Sequence, residues 1–124
     1  MGAKVRRRQS DWASAPSAPG VPKEALGLIV RRRRQMLIHC HLYYRLDEQL
    51  IDDHTWQRWA DELVVLQRQH GTEIGFYDWT FRDWDASTGY HLPTDPDIQR
   101  VAARLLNQDQ CKTNNARNSG AMTA

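Results

Sequence analysis

His39-Cys40-His41-Leu42-Tyr43-Tyr44-Arg45-Leu46-Asp47-Glu48-Gln49-Leu50-Ile51-Asp52-Asp53-His54-Thr55-Trp56-Gln57-Arg58-Trp59-Ala60-Asp61-Glu62-Leu63 is the stretch that decides the fold. Apolar residues recur at three- and four-residue steps on either side of a short polar run, the signature of two amphipathic helices joined by a turn. The adjacent tyrosines Tyr43 and Tyr44 close the first helix. Asp53 reads as the N-cap of the second, with Trp56 in its first turn. Leu50 and Ile51 should plug the hairpin end. This arrangement gathers two phenols, a carboxylate and an indole at one end of a helical hairpin, a set able to hold a flat, positively charged heterocycle and its sugar.

Upstream, the helical pattern begins near Lys23. Leu26, Ile29, Val30, Met36, Leu37 and Cys40 continue the apolar stripe into the tyrosine pair, interrupted where Arg33 occupies it. Arg31 to Arg34 span just over one turn and cannot all face solvent. Arg33 is expected to lay its aliphatic stem on the core and extend its head outward. Downstream, Trp56, Trp59, Ala60, Leu63, Val64 and Leu66 form the buried stripe of the second helix, and Gly71 ends it as a C-cap glycine.

Residues 76–90 pack six aromatics, Phe76, Tyr77, Trp79, Phe81, Trp84 and Tyr90, among acids and a Ser87-Thr88-Gly89 turn. The segment reads as an irregular wrap over the hairpin with one short helical turn; a two-residue alternation over 76–82 also allows a short strand. Thr94-Asp95-Pro96 is a helix start with proline at the first helical position. The expected fold is therefore all-α, with a hairpin of helices over 23–46 and 53–70, the aromatic segment, and a third helix over 95–108. A disordered basic arm over 1–22, one helical domain over 23–109 and a mobile tail over 110–124 complete the organisation. The arm's three prolines and small residues bury too little apolar area to offset the entropy of ordering.

Composition narrows the class. With 17 basic and 15 acidic side chains the formal charge is only +2, but its distribution is uneven: residues 47–62 carry six carboxylates against Arg58. Cys40 and Cys111 lie in unlike contexts, which favours free thiols in a reducing cytoplasm. No apolar run reaches the ~18 residues of a membrane span. The basic N-terminus lacks a following apolar region, unlike a secretory signal.

The stretch from Gln35 to Gln67 resembles the small N-terminal Ia domain of bacterial NAD-dependent DNA ligases. In that family a helix ends in an aromatic pair of Tyr-Tyr or Tyr-His type. A loop with Asp near its start and Ile near its end follows, and then a helix opening Asp-Ala-Glu-Tyr-Asp-Arg-Leu. Tyr43-Tyr44, Asp47, Ile51 and Asp53 match without a gap, over about a quarter of the chain. Trp56 stands where the family has tyrosine, and Gln57 where it has aspartate. The resemblance implies that Tyr43 and Tyr44 contact the nicotinamide of NAD or nicotinamide mononucleotide, with Asp53 on the ribose and Trp56 offering a stacking face. The family's adenylated lysine sits in Lys-x-Asp-Gly, a context that none of Lys4, Lys23 or Lys112 has. The implied role is a non-catalytic module that binds the nucleotide, or assists a nucleotidyltransferase or DNA ligase in trans during repair or replication. A phage or other mobile element is a natural carrier for so small a piece.

Each of these residues also has a purely structural reading: the tyrosine pair as a lid on the core, Asp53 as a cap. No catalytic set is identifiable. His54 beside Asp53 has general-base chemistry but no nucleophile as partner. His39, Cys40 and His41 splay about 100° apart along a helix and cannot converge on a metal. The 84–91 loop, with Ser87, Thr88, Gly89 and His91, could bind phosphate through its amides, or be a structural turn in which Asp85 or Ser87 bonds its own backbone. A second class of function is an accessory protein-interaction domain using the aromatic 76–90 segment as its contact patch. Weak nucleic-acid contact through residues 1–8 and Arg31–Arg34 is a third, unless those arginines pair with Asp61 and Glu62.

Overall fold

The computed structural model describes the backbone of residues 16–123 and the side chains of residues 16–111. It contains four helices and, among the described residues, no strand: α1 Lys23–Arg45, α2 Asp53–His70, α3 Asp78–Phe81 and α4 Pro96–Thr123. The all-α expectation holds, and within 76–82 the residues Asp78–Phe81 form the short helical turn rather than a strand. Helix α1 is central, packing against α2 on one side and α4 on the other. No helix among the described residues is long and apolar enough to cross a membrane.

The main core lies between α1, α2 and the 74–92 segment, with Ile29, Met36, Leu37, Leu63, Ile74 and Phe81 all buried. A smaller cluster seats Ile38 and Leu42 of α1 on Ala102 of α4, with Leu50 from the hairpin turn packed against it. Leu50 thus plugs the hairpin end as expected. Burial of these side chains stabilises each by roughly 1.5–3 kcal/mol, and this drives the hairpin together.

The helix ends are set by capping. Gly71 closes α2 at φ 93°, and its N–H bonds the Gln67 carbonyl. Asp95 starts α4: its Oδ1 accepts from the Ile98 N–H at 3.1 Å, while the Tyr77 hydroxyl donates to its Oδ2 at 2.6 Å. The cap of α2 is Asp52, not Asp53, with Asp52 Oδ1 accepting from the Thr55 N–H at 2.7 Å. Two adjacent aspartates made the register ambiguous in the sequence, and the structure moves it by one.

Three other expectations are corrected. The basic arm is shorter than 1–22: the Ser17 N–H donates to the Ile74 carbonyl at 2.9 Å and Ala18 packs on the core, so the folded part reaches back to at least Pro16. Residues 1–15 of that arm lie outside the described residues. Helix α4 does not stop near Gln108 but runs to Thr123, because propagation from a packed helix adds one hydrogen bond per residue even through weak helix formers. The side chains of the tail beyond Cys111 lie outside the described residues.

The third correction is the most consequential. Arg33 does not extend its head outward; it is fully buried. Its Nε donates to Gln67 Oε1 at 2.7 Å, Nη1 to the Phe76 carbonyl at 2.6 Å and to Asp78 Oδ1 at 2.9 Å, and Nη2 to the Thr72 carbonyl at 2.8 Å. The guanidinium also lies over the Phe81 ring at 5.2 Å. Burial pulls its pKa down from the ordinary value, opposed by the Asp78 carboxylate. Asp78 in turn collects the N–H groups of Ile74, Gly75 and Phe76. One arginine and one aspartate thereby organise the whole 72–78 turn, which includes Tyr77 in the left-handed conformation at φ 56°.

Asp78 makes the fold acid-sensitive. Burial pushes its carboxyl upward, but the N–H groups of Gly75 and Ile74, the Arg33 guanidinium and the Phe76 N–H together hold it below the ordinary value. A depressed folded pKa contributes stability that is present above the unfolded value of ~3.9 and lost as pH falls through the folded one. Urea midpoints should therefore be flat from neutral pH down to about 5 at this group and fall below ~4. Asp78→Asn should flatten that acid limb while lowering stability at neutral pH.

Candidate functional site

A cleft of about 210 Å³ opens at the hairpin end, between the C-terminus of α1, the 48–51 turn, the first turn of α2 and the 87–88 loop. Tyr43, Tyr44, Asp53 and Trp56, the four residues singled out in the sequence, all line it. The tyrosines are adjacent and roughly half exposed, at 49% and 45%, with rings edge to face at 4.9 Å. Outside the cleft lining, the Tyr90 ring stands edge-on to Tyr44 at 6.1 Å.

The neighbours that hold the cleft's aromatic lining were not evident beforehand. The Trp56 indole lies near the Cys40 thiol and stands edge-on to Trp84 at 6.2 Å. Burial raises the Cys40 thiol to about 11, only partly offset by that indole, which favours the neutral thiol in the core. Gly89 sits so close to Cys40 that no side chain fits there. Gln57, which replaces the family's aspartate, donates to Asp61 Oδ1 at 3.0 Å and to the Ala86 carbonyl at 3.3 Å. It therefore ties α2 to the loop that forms the far wall of the cleft.

That loop is a structural turn. Asp85 Oδ1 accepts from the Ser87 N–H at 3.0 Å and the Ser87 hydroxyl at 2.7 Å, and the Trp84 indole donates to the Thr88 carbonyl at 2.8 Å. The Ser87 hydroxyl, with its N–H, holds the Asp85 carboxyl below the usual range. The Ser87 and Tyr90 amides are thus already used within the loop.

The lining is acidic and aromatic. Glu48 and Asp53 contribute carboxylates, and no lysine or arginine lines the cleft among the described residues. His39 is kept neutral by burial, which lowers its pKa. Asp53 Oδ1 accepts from the Gln49 amide at 3.1 Å, which steadies the carboxylate at the rim. Among the described residues no three His, Cys, Asp or Glu side chains are placed to hold a metal ion.

The other sequence candidates are dispersed. Four of the six aromatics of the 76–90 segment, Phe76, Tyr77, Phe81 and Trp84, are buried in the core, and only Trp79 and Tyr90 are exposed. Most of the supposed contact patch is therefore interior. Arg32, rather than Arg34, pairs with α2: its Nε donates to Glu62 at 2.8 Å, and it lies over Trp59 at 5.5 Å. Arg34 lies over Phe76 at 5.5 Å. Of the four arginines of the 31–34 block, Arg33 is interior, Arg32 and Arg34 are engaged with neighbours, and Arg31 is exposed, which narrows the basic surface that this block offers to nucleic acid. The contribution of residues 1–8 lies outside the described residues.

No protein-family model matches the chain, and no curated protein or solved structure matches it.

Proposed function

We propose that the protein is a non-catalytic nucleotide-recognition module whose cleft takes the nicotinamide riboside part of nicotinamide mononucleotide or NAD, either alone or as an accessory to a nucleotidyltransferase or DNA ligase acting in trans. The observation that carries this reading is that Tyr43, Tyr44, Asp53 and Trp56 share one cleft, and that the tyrosines and Asp53 are not taken up by the structural duties first open to them, while Trp56 also packs on the core. The tyrosine pair is half exposed rather than a lid on the core. Asp52 caps α2, which leaves the Asp53 carboxylate facing the rim with only Gln49 upon it.

Size and charge agree with this. At about 210 Å³ the cleft is smaller than the ~300–1,000 Å³ usual for drug-sized ligands, so it suits one ring and a sugar rather than a dinucleotide. An oxidised nicotinamide is a flat cation attracted to aromatic faces, and Asp53 can accept from vicinal ribose hydroxyls. A phosphate would be directed out of the cleft, away from its two carboxylates. Few heavy atoms make contact, so binding should be weak.

Calorimetric titration tests the reading. Nicotinamide mononucleotide and NAD should bind with similar affinity in the high micromolar to millimolar range, because the adenylate half has no place in the cleft. Tyr44→Ala, at a half-exposed position, should weaken binding about tenfold, since stacking on an aromatic ring is worth ~1–3 kcal/mol, without lowering the melting temperature appreciably. Asp53→Asn should weaken the riboside and the nucleotide but not free nicotinamide. Equal binding by wild type and Tyr44→Ala, or no heat with any of these ligands, would sink the proposal.

A further inference from the structure

Glu48 was not among the residues that the sequence singled out, yet it lines the cleft with the tyrosine pair and is half buried. Its position is fixed by the backbone. Asp47 adopts the left-handed conformation at φ 56°, which ends α1 and turns the chain so that the Glu48 N–H reaches back to the Leu42 carbonyl at 2.9 Å. An aspartate tolerates that conformation better than most side chains. The other cleft carboxylate, Asp53, already accepts the Gln49 amide. Among the described residues the Glu48 carboxylate has neither an ion pair nor a hydrogen bond. A half-desolvated carboxylate without a counter-ion is unfavourable, and beside aromatic faces it adds to the pull on any cation that enters.

We infer that Glu48 is a specificity-determining residue that makes the cleft select a positively charged ring over its neutral counterpart, so that oxidised nicotinamide nucleotides bind and reduced ones are rejected. The inference rests on the reading that the cleft takes a nicotinamide nucleotide. Charge, rather than ring shape, is the discriminating feature: oxidised and reduced rings have the same substituents and nearly the same outline. Two aromatic walls alone would accept both and favour the cation only modestly, because stacking requires only a face and an exposed cation–π contact adds ~0.5–1 kcal/mol. The carboxylate supplies what the walls lack.

The test uses the full chain and two near-isosteric probes, 1-methylnicotinamide, a permanent cation, and nicotinamide, which is neutral. Binding is followed by amide NMR shifts at low salt, with nicotinamide mononucleotide as the reference ligand. The cation should bind at least about tenfold tighter than the neutral ring, and Glu48→Gln should erase most of that ratio by weakening the cation alone. Rescue by Glu48→Asp should be partial, because the shorter chain keeps the charge but retreats from the cleft. A structural role for Glu48 would instead weaken both probes together. If the nucleotide binds but the two probes bind alike, or if Glu48→Gln weakens both equally, the selectivity is overturned while the nucleotide reading stands. If none of the three ligands perturbs the cleft, the nucleotide reading falls and the selectivity with it.

Discussion

Arg33→Met should unfold the domain at moderate temperature. The substitution keeps much of the side chain's volume and removes its charge, so the loss measures the network and not a cavity. Left behind are the carbonyls of Thr72 and Phe76, the Gln67 amide oxygen and the Asp78 carboxylate, all of which now accept from this one guanidinium. Removing one partner of a buried ion pair costs about 3–5 kcal/mol, because the other is left uncompensated. That is a large share of the ~5–15 kcal/mol of a typical domain. Arg33→Lys should be nearly as damaging, since a point-charge ammonium cannot reproduce the planar fork that reaches four acceptors. Arg31→Met, at an exposed position of the same block, should stay within about 0.5 kcal/mol of wild type. Urea unfolding followed by helical circular dichroism separates the three. A midpoint for Arg33→Met equal to that of Arg31→Met would show that the buried network contributes nothing net.

The second large effect is expected at Gly89, where the constraint is a close approach and not backbone conformation. A methyl group there would lie 2.1 Å from Cys40 Sγ and 3.3 Å from its Cβ. Neither side can give way cheaply: Cys40 is buried on α1 within the main core cluster. Gly89→Ala should cost ~1–3 kcal/mol by overpacking and displace the 87–88 wall of the cleft, so ligand affinity should fall together with stability. Adding Cys40→Ala removes the clashing sulfur and should recover most of the lost stability, a coupling expected only of residues in contact. Additive losses in the double variant would contradict the packing described between α1 and the loop.

The helical hairpin was legible because amphipathic periodicity, a capping aspartate and Gly71 all agreed on its limits. So was the gathering of Tyr43, Tyr44, Asp53 and Trp56, which follows from their places on either side of one short turn. What escaped was set by long-range contacts. Nothing local distinguishes Arg33 from its three arginine neighbours; only the turn at Thr72, Phe76 and Asp78 explains why it is the buried one. The aromatic segment looked like a surface because so many rings seemed too many for a small core, yet Arg33 and Asp78 fold it inward and bury four of them. The choice between Asp52 and Asp53 as cap hung on a one-residue register that composition does not encode. It also freed Asp53 for the cleft. Gln57 looked like the loss of a functional charge, whereas its amide links α2 to the Ala86 carbonyl. Glu48 enters the cleft through the left-handed Asp47, a conformation that no pattern of apolar spacing announces.

The most direct test of the nucleotide site is a map of backbone amide and tryptophan indole shifts as nicotinamide mononucleotide is added to the unaltered chain at millimolar concentration. Saturable shifts should be confined to one end of the hairpin: Tyr43 and Tyr44, the 48–53 turn, the Trp56 indole, and Ser87 and Thr88. The exposed Trp79 indole and the Arg104–Cys111 face of α4 should not move. Shifts centred on that α4 face, or none anywhere at saturating ligand, would contradict the nucleotide site.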